Sequence, residues 1–167
     1  MSRKSKIIIF LLCCIISIGA DRITKNLAKE HLQDKGELSY FHDTFRLVYV
    51  ENTGAALSLG DSLPPAASFW LLSMLPLAFL LVVAFYVYRH LDGMTPLRIF
   101  SIALIFSGGI GNIIDRVLYD RHVTDFMNMG IGSLRTGIFN VADVCVTAGV
   151  IGLLVFRSKQ KEEITTA

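Results

Sequence analysis

Two aspartates in this chain call for a chemical reason. Asp143 stands about five residues inside the apolar run Ile138 to Phe156, roughly 7 Å below the boundary at 1.5 Å rise per residue. An ionisable group there costs at least a few kcal/mol. Asn140 and Thr147, at i−3 and i+4, share its helical face. A second apolar run ends in FSGGIGNIIDRV, which brings Asn112, Asp115 and Arg116 to the same depth. Asn112 and Arg116 fall on one face, and Gly108, Gly109 and Gly111 leave room for another helix. Asp125, in HVTDF, follows on a loop expected to be short enough to fold back to Asp143. Two close carboxylates are the minimum equipment for peptide hydrolysis by activated water: one takes the water proton, and the other donates to the carbonyl oxygen. Sharing one proton is natural because both cannot ionise cheaply. Asp125 and Asp143 are the pair; Asp115 competes, although its neighbour Arg116 suits it to a simple ion pair. Asp143 could also serve only as a hydrogen-bonded strut between helices.

Supporting groups surround this pair. Asp21 and Lys25 stand at i and i+4, and Asp21 or Asp115 is expected to neutralise Arg116. In ENTGAALS, Asn52 offers an amide that can hold a peptide backbone, and Gly54 and the small residues after it permit close approach. Other chemistries have weaker signals. There is no HExxH, and His31, His42, His90 and His122 are scattered, so no metal site is expected. A pairing of Ser58 with Lys25 stays open without a GxSxG elbow to support it.

The elements that must position these groups are membrane spans. The 167 residues are 53% apolar and 18% charged, well below the usual charge content of a soluble domain, with a mean hydropathy of +0.54. A formal charge of +2 gives no footprint for nucleic acid. Four spans are expected, at about 7–27, 66–88, 97–114 and 138–156, within one membrane domain of residues 1–156. The connections 1–6, 89–98 and 157–167 are the densest in Lys and Arg, which puts both termini in the cytoplasm and the outer loops, 28–65 and 115–137, on the far side. Arg3, Lys4 and Lys6 before the first run would also suit a cleaved signal, but the helical composition after Ala20 favours an uncleaved anchor. Leu38 to Glu51 is dense in β-branched and aromatic residues and predicts one or two short strands, a small sheet on the membrane surface. Gly54 to Leu63 is expected to cover the aspartates, and 157–167 to be a solvated cytoplasmic tail without fixed structure. Cys13, Cys14 and Cys145 lie in spans and predict no disulfide.

Intramembrane acids also mark proton- or ion-coupled transporters, but those sites lie near the midplane between repeats, and here the central turns are uncharged and no repeat is visible. A structural adaptor whose polar clusters only pin helices is a further reading. DRITK, ENTGAALS, GGIGNIIDR, HVTDF and FNVADV, in this order and spacing from Asp21 to about Val144, resemble the bacterial lipoprotein signal peptidases, or signal peptidase II. That resemblance implies an all-α polytopic protein of four transmembrane helices with a small periplasmic β-sheet and a short periplasmic helix. It implies an intramembrane aspartyl endopeptidase of the bacterial inner membrane, facing the periplasm, which cleaves prolipoproteins just before a diacylglyceryl-modified cysteine. Asp125 and Asp143 would be the catalytic dyad. Asn52, Gly54, Asn112, Arg116 and Asn140 would line the site, and Asp21, Lys25 and Asp115 would support it. The implied partners are lipid-modified precursors, membrane lipids and peptide-like inhibitors such as globomycin, with no cofactor, no nucleic acid and a monomeric state. Leu57, His122, Thr124 and Val144 depart from the family's usual residues and bear on substrate fit.

Overall fold

The computed structural model describes residues 1–54, 59–60 and 62–165. Ser58 and most of the expected cover fall at or beside residues 55–58 and 61, which lie outside them. The chain opens with α1 (Arg3–Leu32), capped by the Ser2 hydroxyl on the backbone N–H of Ser5. Its composition carries no Pro or Gly break after Ala20, so the helical part of the first outer loop is a continuation of α1 and not a separate short helix. The strands β1 (Leu38–Tyr40) and β2 (Phe45–Asn52) follow, as the β-branched run predicts. A long helical segment, Pro65–Gly93, comes next. It comprises α2 (Pro65–Phe69), a π-helical turn (Trp70–Met74), α3 (Leu75–His90) and a 3-10 turn (Leu91–Gly93). The π turn precedes Pro76, which has no N–H to offer the carbonyl one turn back.

Thr95 caps α4 (Pro96–Leu118), accepting from the N–H of Arg98, with Pro96 at the first helical position. Then come β3 (Val123–Ile131), β4 (Leu134–Arg135) and α5 (Val141–Thr165). Among the described residues three helical segments, Arg3–Leu32, Pro65–Gly93 and Pro96–Leu118, are long and apolar enough to cross a membrane, and Val141–Val155 is a shorter apolar helix. The molecule is thus a helix-rich membrane protein with a small antiparallel sheet. The expected unstructured tail is helical through Thr165, because SKQKEEIT consists mostly of helix formers and has no Pro or Gly.

The sheet runs β1-β2-β3-β4, all antiparallel. Asp125 therefore sits in a strand, not on the loop expected for it, since Val123 to Ile131 pairs with β2 and pins it in register opposite Val50. An irregularity between Leu47 and Val50 gives β2 one extra residue there. Alternation along the strands then sorts the two faces. Val123, Asp125 and Asn52 line one cavity, whereas Thr124 and Glu51 line another beside α1, and Phe126 packs on Ala28 and Leu32. Phe139 is stitched to β3 by bonds from the N–H groups of Phe126 and Met127 to its carbonyl, at 3.1 and 2.8 Å, and from its own N–H to the carbonyl of Met127 at 2.8 Å. That tie delays the start of the last helix from the expected residue 138 to Val141 and sets Asn140 beside Asp125.

α5 packs along α4 at close range through small residues. A Cβ on Gly108 would stand 2.3 Å from the carbonyl oxygen of Ala142, and one on Gly149 2.5 Å from that of Ser101. Gly111 makes room for the Asp21 carboxylate and Gly109 for Leu80, so the glycines of the third span serve three different neighbours. At the other end of the bundle Lys6 is buried and donates to the carbonyls of Leu91 and Asp92 at 3.1 and 2.6 Å. The N-terminus and the 91–92 turn thus lie at the same end.

Candidate active site

The start of α5 is built as a reciprocal cap. Asn140 accepts from the backbone N–H of Asp143 at 3.0 Å, and the Asp143 carboxylate accepts from the N–H of Asn140 at 3.0 Å. A helix's first N–H groups lack partners within the helix. A third, that of Ala142, donates to Asp21 at 3.0 Å. The geometry that starts the helix therefore also fixes the rotamer of Asp143. Its other oxygen accepts from the Asn112 amide at 2.8 Å.

Asn140 joins the two acids. Its side-chain amide donates to Asp125 at 2.7 Å and to the oxygen of Asn112 at 3.1 Å, and it is completely buried. Asp125 accepts a second bond, from Asn52, at 3.0 Å. Burial, reinforced by the nearby Asp143 charge, pushes the Asp125 carboxyl up to about 6, although the Asn52 and Asn140 bonds pull the other way. Both aspartates line one cavity of about 330 Å³ with Asn52, Asn112 and Arg116, and Val146 and Thr147 extend its wall along the apolar helix.

Behind this cavity lies a cluster of two acids and two cations. Lys25 pairs with Asp21 at 2.9 Å and with Asp115 at 2.7 Å, all three buried, and it donates to the Asn112 oxygen at 2.9 Å. Arg22 closes the square, bonding Asp115, Asp21 at 2.9 Å and the carbonyl of Gly111 at 3.3 Å. Each acid thus meets both cations, a compensation that burial demands. Lys25 and Asn140 together leave the Asn112 oxygen no freedom, so its amide faces Asp143.

Among the described residues the structure brings together those that the sequence set around the two aspartates, while Ser58 lies outside the described residues. Asp125, Asp143, Asn52, Asn112, Arg116 and Asn140 share the cavity; Asp21, Lys25 and Asp115 stand behind it; the Gly54 N–H bonds the Asn52 side chain at 2.9 Å. Two corrections follow. Arg116 does not pair with Asp21 or Asp115, because Arg22 and Lys25 already saturate them; its guanidinium donates to the Gly54 carbonyl at 2.8 Å and faces the aspartates across the cavity. Asp115 is consequently a partner inside the ion cluster and does not line the aspartates' cavity. Arg22 was missed as a site residue. The signal for it was the excess of boundary acids over cations once Arg116 is assigned elsewhere. Among the described residues no group of three or more His, Cys, Asp or Glu is arranged to hold a metal ion.

Comparison with known proteins agrees on one family. The family model for signal peptidase (SPase) II matches residues 13–158. A lipoprotein signal peptidase of Chlorobaculum tepidum is 37% identical over 160 residues, covering 90% of this chain and 94% of that one. One from Borreliella burgdorferi is 36% identical over 163 residues, covering 93% and 94%. A bacterial membrane enzyme solved by the in meso method at 2.3 Å shares the fold with a TM-score of 0.78 at 24% identity, over 92% of this chain and 90% of that one.

Proposed function

Because the chain belongs to the signal peptidase II family and so is a peptidase, we propose that it removes signal peptides from diacylglyceryl-modified prolipoproteins, with Asp125 and Asp143 as the catalytic pair. The observation that carries this reading is the Asn140 bridge: one buried residue holds both carboxylates at one cavity, that of Asp125 through its side-chain amide and that of Asp143 through its backbone N–H. The raised Asp125 keeps its proton up to about pH 6, well above an ordinary carboxyl, and supplies the acid. Asp143 is aimed by Asn112 and the Asn140 N–H and supplies the base.

In the forward step a water oxygen bonds to the scissile carbonyl carbon and gives its proton to Asp143, while Asp125 gives its own to the carbonyl oxygen. The tetrahedral diol then returns that proton to Asp125 as the carbonyl re-forms. The departing nitrogen takes the proton held by Asp143, and the C–N bond breaks. Each carboxyl ends in its starting state. Asn52, Gly54 and Arg116 stand where a peptide backbone would enter and are assigned to holding it. Four spans with both termini in the cytoplasm would put this cavity at the outer face of the inner membrane, reached by a substrate held by its own lipid. That anchor would set the scissile bond just before the modified cysteine and supply much of the positioning.

The test is cleavage by the purified protein of one precursor in two forms, with and without the diacylglyceryl group. The lipidated form should yield a product that begins at the modified cysteine. Equal cleavage of the unmodified form, or a product with another N-terminus, would reject the assignment of substrate.

A further inference from the structure

The end of the bundle away from the aspartates has a polar cavity of its own. It encloses about 290 Å³ where α3 gives way to α4, and Tyr86, Arg89, His90, Gly93 and Arg98 line it. Its charge is unbalanced. The one acid on its rim, Asp92, is held by Arg3 at 2.5 Å, and among the described residues neither Arg89 nor Arg98 has an acidic partner. Arg98 is nonetheless ordered. Its guanidinium donates to the Tyr86 hydroxyl at 3.0 Å and lies 6.0 Å from that ring. His90 stacks on the same ring at 4.4 Å with Nδ1 against the Tyr86 carbonyl at 3.0 Å. Two arginines, one fixed in place, thus face a pocket in which a planar guanidinium can meet two oxygens of one anion, such as a phosphate diester.

The surface leading to the pocket is apolar and exposed. Leu81 and Phe85, eight and four residues before Arg89, continue its stripe along α3. A free inorganic anion would have no use for these side chains, whereas acyl chains would lie against them with their headgroup at the arginines. We propose that this cavity binds the headgroup of an anionic phospholipid, its phosphate between Arg89 and Arg98 and its chains along Leu81 and Phe85. Basic recesses between spans at the cytoplasmic side are suited to such headgroups. The site stands apart from the peptidase reading and uses none of its residues.

The test is lipid retention by the purified full chain in native mass spectrometry, titrated with phosphatidylglycerol, phosphatidylcholine or inorganic phosphate. Wild-type protein should retain phosphatidylglycerol about tenfold better than phosphatidylcholine, and the Arg89→Gln/Arg98→Gln variant should lose that preference. Arg121→Gln, at the opposite end, should keep it. An unchanged preference in the double variant would overturn the site. Displacement of the lipid by millimolar phosphate would make it a free-anion site and would equally overturn the proposal. Photo-crosslinking of wild-type protein with a diazirine phosphatidylglycerol should label residues 81–100, and labelling confined to other segments would refute the assignment whether or not the variants fold.

Discussion

Replacing Asp125 with Asn should change how stability depends on pH, and by a calculable amount. In the folded protein burial pushes this carboxyl from 3.8 up to about 6. Below 3.8 both folded and unfolded chains carry the proton, and the group contributes nothing. Between 3.8 and about 6 the unfolded chain ionises while the folded one still holds its proton, so stability falls as pH rises and levels off above 6. A shift of about two units at 1.36 kcal/mol each amounts to about 3 kcal/mol. The Asn variant has no such titration. Its stability relative to wild type should therefore grow by about 3 kcal/mol between about pH 3.5 and about pH 7, or roughly 6–12 °C in Tm for a chain of this size. Whatever the amide loses opposite Asn52 and Asn140 does not vary with pH and cancels in the comparison. Thermal unfolding in detergent, followed through the single tryptophan, Trp70, measures the difference. Parallel curves for the two proteins would refute the reasoning, since they would mean that Asp125 titrates as an ordinary carboxyl.

Lys25→Met should destabilise the protein by about 3–5 kcal/mol, because it leaves the buried Asp21 and Asp115 with Arg22 alone; chemical unfolding of purified protein reports this. Gly108→Ala should cost about 1–3 kcal/mol and lower turnover as well, since the new methyl, 2.3 Å from the Ala142 carbonyl, must push α4 and its Asn112 away from Asp143; unfolding and cleavage assays on one preparation show whether the two losses go together. Asn140→Ser keeps an oxygen to cap α5 but loses the donor to Asp125, whereas Asn140→Ala loses both, so Ala should be less stable than Ser by about 1 kcal/mol. Both should move the alkaline limb of the pH–rate profile upward, because the lost bond favoured the carboxylate form of Asp125, the acid of the pair.

Much of the site is legible in the sequence because membrane burial makes charge conspicuous. Asp143 in an apolar run, and Asn112 one helical face away from it, need no structure to be noticed. The glycines of GGIGN likewise signal close packing, although not that Gly111 accommodates a carboxylate instead of a helix. Arg22 escaped notice because an arginine beside an aspartate at a boundary resembles any surface pair; only the fold shows that Asp115 is the second acid within its reach. The strand at Asp125 was hidden for a related reason. VTDFMNMGI mixes polar and apolar residues without clean alternation, since both its faces are buried against different neighbours. The same segment would read as a strand if one face met water. The Asn140–Asp143 cap could have been read from the N-x-x-D spacing before an apolar run, a pattern obscured by the interest of its acid in catalysis.

The central claim, that two carboxylates act as one unit, is tested most directly by cleavage of a lipidated precursor by Asp125→Asn, Asp143→Asn and the double variant, each shown by its melting to be folded. Either single change should lower turnover by about 10³-fold or more, and the double variant should be scarcely worse than either, since removing one member of a cooperating pair already disables it. Substantial turnover by either folded single variant would contradict the account.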